Sequence, residues 1–181
     1  MHANVASLTT SPPAAVLPLH PPTLVIGYGN TLRSDDGAGV IAATRLAEKS
    51  STHQVIAVQQ LTPHLAENIA SAAQVVFLDA YAADQRDAVL HVERIASGDI
   101  HPAPALDHHA DPAALLRLAD RLYGKRPDAW VVGIPAFRFD IGESVSPATA
   151  RRIDEAVELL VGSHDESKRP NRIRHSGLDP E

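Results

Sequence analysis

The chain has 181 residues, 44% of them hydrophobic, a net charge of -6 at neutral pH and no cysteine. This length suits one domain with a buried core, and the acidic balance argues against nucleic acid as a partner. Without thiols there are no disulfides, thiolate metal sites or cysteine nucleophiles, which leaves His, Asp and Glu as the strong metal ligands.

Residues 1–22, "MHANVASLTTSPPAAVLPLHPP", are rich in proline and carry no charged side chain. They read as an extended arm outside the core. The absence of Lys and Arg and the interrupting prolines argue against a secretory signal. No apolar run approaches the roughly 20 residues that span a bilayer, so no membrane partner is expected and the reading places the protein in the cytoplasm. Residues 163–181 are polar with mixed charges and read as a loose tail.

Strands and helices alternate in residues 23–162. "TLVIG" from Thr23 is a buried-type strand, and "DGAGVIAATRLAEK" follows with apolar residues near helical spacing. "HQVIAVQQL" is expected as a strand, and "PHLAENIASA" as a helix with Pro63 in its first turn. "QVVFLDA" suits a central parallel strand covered on both faces. "AVLHVERI" alternates like an added strand, antiparallel being one option. "DPAALLRLADRLYG" has Asp111 as cap, Pro112 in the first turn and Gly124 as stop. "AWVVGI" is a strand, and "SPATARRIDEAVELLVG" a final helix capped by Ser146. The order predicts a three-layer α/β/α sandwich with a mostly parallel twisted sheet.

The first turn, "GYGNTLRSDDGAG", contains the strongest chemical signal. A dinucleotide fingerprint fails at its third glycine, where Leu32 stands, and no Walker lysine follows. Asp35 and Asp36 would also repel a phosphate from the start of the helix. Capping accounts for one of the two acids, Asp35 being the natural choice, and leaves Asp36 for work outside the helix.

In open α/β sheets the binding crevice forms at the carboxyl ends of the strands. Asp36 follows the first strand, Asp79 ends "VVFLD", and His108 and His109 precede the helix that begins near Asp111. Two carboxylates and an imidazole suit a divalent ion such as nickel, zinc or manganese.

The ordered set "GYGNTLRSDDGAG", "QQLTPHLAENIASAAQVVFLDA", "HHADPAALLRLADRLYG" and "GESVSP" resembles the hydrogenase maturation proteases over residues 23–162. These endopeptidases trim the C-terminal extension of the large subunit of nickel-iron hydrogenase. The resemblance implies that Asp36, Asp79 and His108 contact the metal, with His109 as the alternative register for the imidazole. It implies catalytic roles for Asp36 and Asp79, the hydrogenase large-subunit precursor as partner, and nickel brought by that precursor rather than held permanently. One departure is His64 in "TPHLAE", where related sequences are expected to carry an acid. A non-catalytic nickel-binding assembly protein is the alternative reading.

Overall fold

A computed structural model describes residues 17, 19–85, 88–95 and 111–162. Five strands, β1 (Thr23–Tyr28), β2 (His53–Val58), β3 (Gln74–Ala82), β4 (His91–Arg94) and β5 (Asp128–Ala136), form one sheet in the order β2-β1-β3-β5-β4. The first four in that order pair in parallel, and β4 runs antiparallel along β5. Among the described residues four α-helices accompany the sheet: α1 (Ala38–Lys49), α2 (Leu65–Ser71), α3 (Pro112–Tyr123) and α4 (Pro147–Gly162). The architecture is the expected α/β sandwich.

The layers follow from strand parity. Side chains alternate across a strand, so Leu24, Ile26 and Tyr28 of β1 join Val75 and Phe77 of β3 beneath α2 and α3. Val25, Val76 and Leu78 face the other way, under Ala42, Leu46, Ile153 and Leu160 of α1 and α4. Both sides of the sheet are covered, and β1 is buried along its whole length. This explains why the central strands read as continuous apolar runs.

Helix ends match their local chemistry. The Asp111 carboxylate accepts the Ala113 N–H at 2.9 Å, Pro112 opens α3, and Gly124 closes it with a left-handed φ of 63°. Ser146 Oγ accepts from the Thr149 N–H at 3.3 Å at the start of α4. Pro63 sits in the turn before α2, where its carbonyl accepts the Ala66 N–H.

Packing begins ahead of Thr23. Leu17 and Leu19, inside the segment read as an arm, are buried in the core against α1 and α4. The Pro22 carbonyl accepts from the N–H groups of Ala73 and Gln74, and the Gln74 side chain accepts the His20 N–H. The arm's last residues therefore close the amino end of the sheet. The small apolar run around Leu17 and Leu19 was masked in the sequence by its prolines.

Candidate active site

The helices that follow β1 and β3 lie on opposite faces of the sheet. From β1 the chain passes through α1 on one face to β2, whereas β3 leads through α3 on the other face to β5. Neighbouring strands whose helices leave on opposite faces open a crevice at their carboxyl ends. The register marks its floor: Gly27 pairs with Leu78, the last pair between the two strands. Asp79 is thus the first residue of β3 past its pairing with β1, and β3 continues to Ala82 against β5.

Asp79 points to the α2 and α3 side, as Tyr28 does. The Tyr28 hydroxyl donates to Asp79 Oδ2 at 2.7 Å, and the Ala80 N–H donates to Oδ1 at 2.8 Å. Burial raises the Tyr28 pKa far above the usual phenol range, and the charge of Asp79, their hydrogen bond and the charge of Asp111 add to the effect. Tyr28 therefore remains a proton donor at any working pH. Tyr28 also shares a core cluster with Leu115 and Leu116 of α3.

Asp36 lies in a single 3-10 turn, Ser34–Gly37, which leads into α1 and packs on β3. Its Oδ2 accepts the Asn30 N–H at 3.0 Å, while Oδ1 has no hydrogen bond among the described residues. The carboxylate is half-buried. Two glycines make this approach possible. At Gly39 a Cβ would stand 2.3 Å from the Leu78 carbonyl oxygen and 2.4 Å from that of Tyr28. Gly29, with φ of 138°, would direct one at 2.0 Å from the Asp36 carbonyl oxygen. The glycine–acid motif is therefore a packing device that seats α1 on the ends of two strands and fixes Asp36 beside them.

Asp35 has a different role from the one read in the sequence. No side-chain hydrogen bond caps the 3-10 turn or α1. Asp35 is fully buried, and its two oxygens accept from the N–H groups of Phe137, Arg138 and Ser146 and from the hydroxyls of Ser146 and Thr149. Burial works to raise its pKa, but the bonds from Ser146, Phe137 and Thr149 outweigh it and hold the carboxyl below its ordinary range. Asp35 ties the turn carrying Asp36 to the loop after β5 and to the start of α4. The capping rule missed this because the donors lie over 100 residues away in sequence.

Asp36, in the turn that follows β1, and Asp79, just past the last β1–β3 pair, are thus both carried at the carboxyl ends of these two strands. His108 and His109 lie outside the described residues. Among the described residues no three His, Asp or Glu side chains form a group able to hold a metal ion. Both carboxylates are of the oxygen-donor type that suits a divalent ion arriving with a substrate, and Asp36 Oδ1 has no hydrogen bond among the described residues. Tyr28, unmarked in the sequence reading, joins them as the residue that orients Asp79. His64 begins the turn into α2 and is exposed.

No family model matches the chain, and no curated protein does. Solved structures do. A NiFe hydrogenase maturation protease, HybD, from Thermococcus kodakarensis is 26% identical, with a TM-score of 0.62 over 77% of this chain and 97% of that one. A second protease from that organism, HycI, is 20% identical with a TM-score of 0.62, covering 78% of this chain and 91% of its own. The hydrogenase maturating endopeptidase HybD from E. coli is 21% identical with a TM-score of 0.58, over 81% and 94%. Fold and opening motif together define the class: the chain resembles the hydrogenase maturation proteases. Its enzyme class is accordingly that of an endopeptidase.

Proposed function

We propose that the protein is a cytoplasmic endopeptidase that removes the C-terminal extension from the large-subunit precursor of a nickel-iron hydrogenase after nickel has been inserted. The reading is supported by the positions of Asp36, in the turn after β1, and of Asp79, just past the last β1–β3 pair, within a fold shared with maturation proteases.

Nickel enters as part of the substrate. The precursor's own metal serves as the mark of a completed centre, and it would meet Asp36, Asp79 and an imidazole from His108, or from His109 in the shifted register. Binding energy available only with that metal in place would position the scissile peptide, which makes trimming conditional on insertion.

Asp36 is the better placed of the two acids to act as general base, because Oδ1 is open and the carboxylate is half-buried. Water adds through its oxygen to the scissile carbonyl carbon while its proton passes to Asp36. Collapse of the tetrahedral adduct breaks the C–N bond, and the proton moves from Asp36 to the departing amine. Asp79, with both oxygens held by Tyr28 and Ala80, keeps a fixed orientation suited to gripping rather than proton transfer.

The test is mass spectrometry of a nickel-loaded precursor and a nickel-free one, each incubated with the protein. Loss of the extension from the nickel-loaded form alone is expected. An unchanged mass in both would contradict the proposal, and binding without loss of mass would favour an assembly protein.

A further inference from the structure

Close to Asp36, the loops after β1 and β5 are bound to each other. The Ser34 N–H donates to the Gly142 carbonyl at 2.7 Å, the Gly142 N–H donates to Leu32 at 2.9 Å, and Ser34 Oγ donates to the Asp140 carbonyl at 3.0 Å. Arg33 and Gly142 form a short parallel bridge. Ser34 takes a left-handed φ of 53°, a conformation uncommon for a residue with a side chain, and it is buried. Asp35, one residue on, binds the base of the second loop through Phe137 and Arg138.

This clamp holds two apolar side chains outward. Ile141 is 94% exposed and Leu32 is 55% exposed, each at the tip of its loop. Single exposed apolar residues are common and mean little. Here a strained residue and a buried carboxylate fix both tips, which a solvated loop does not require. Arg33 lies between them in the bridge, exposed and with no ion pair among the described residues. The ridge is continuous with the site, since Asn30 donates its N–H to Asp36 and accepts the Leu32 N–H at 2.9 Å.

We infer that Leu32, Arg33 and Ile141 form a docking ridge for the polypeptide substrate, which places an apolar side chain on Leu32 and Ile141 and a carboxylate beside it on Arg33. The inference rests on the endopeptidase reading and specifies how that site selects its substrate. A peptide held here would lie along the rim of the crevice, next to Asp36.

The experiment compares the wild-type chain with the double variant Leu32→Ser/Ile141→Ser and with Arg33→Glu. Trimming kinetics on nickel-loaded precursor are followed by mass spectrometry, precursor binding by calorimetry, and folding by thermal melting. The double variant is expected to raise both KM and Kd about tenfold or more, with the loss concentrated in KM. Arg33→Glu is expected to weaken binding about tenfold at low salt, with a smaller effect in high salt. KM and Kd within about twofold of wild type for either folded variant, measured against a wild type that binds, would overturn the ridge. Wild type that binds without trimming would remove the endopeptidase reading, and the Kd comparison would still decide the ridge. Wild type that neither binds nor trims would remove both.

Discussion

The Tyr28 hydroxyl donates to Asp79 Oδ2 at 2.7 Å across the mouth of the crevice between β1 and β3. Both residues sit where the pairing of these strands runs out, so the bond joins the two strands just past their last paired residues. Tyr28→Phe should keep the packing of the ring and remove only this donor. Stability is expected to fall by about 1 kcal/mol, and trimming by about tenfold as Asp79 loses its fixed orientation. Urea unfolding and single-turnover kinetics check the two effects separately.

Asp35 gives a prediction about acid. Its oxygens accept five hydrogen bonds while fully buried, so Asp35→Asn should cost about 3 kcal/mol at pH 7, because an amide nitrogen would face donors. The folded carboxyl is held below its ordinary range. A depressed folded value stabilises the native state above the unfolded value, about 3.9, and that contribution disappears as pH falls through the folded value. The stability gap between wild type and Asp35→Asn should therefore narrow below about pH 4. Urea midpoints at neutral and acid pH measure it, and a gap that widens in acid would be the wrong sign.

Gly39 sits where α1 touches both strands. A methyl group there would be driven onto two backbone carbonyls, neither of which can rotate away. Gly39→Ala should cost about 3 kcal/mol or prevent folding, although alanine favours helices elsewhere. Thermal unfolding reads the difference directly.

Leu19→Ala tests whether the chain ahead of Thr23 belongs to the core. Leu19 is fully buried beside residues of α1 and α4. The substitution should cost about 2–5 kcal/mol, the range for a buried large-to-small change. A change below about 0.5 kcal/mol, ordinary for a surface site, would place Leu19 outside the core.

The fold was legible in the sequence where one local rule sufficed. Val75 to Leu78 form an uninterrupted apolar run because both faces of β3 are covered, and Asp111, Pro112 and Gly124 bound α3 by local chemistry. The elements that carry Asp36 and Asp79 were legible for the same reason, one residue in the turn after β1 and the other in β3. Distant pairings were not. Asp35 looked like a helix cap because its donors, Phe137 to Thr149, carry no local mark of their purpose. Tyr28 was overlooked because its partner is 51 residues away, and only strand register brings the two together. His64 stays exposed at the entry to α2.

The most direct measurement is the mass of a nickel-loaded hydrogenase large-subunit precursor after incubation with wild type, Asp36→Asn, Asp79→Asn or His108→Ala, each confirmed folded by thermal melting. Wild type should release the C-terminal extension, and each variant should leave it attached over the same period. Cleavage by the variants at the wild-type rate would contradict the account.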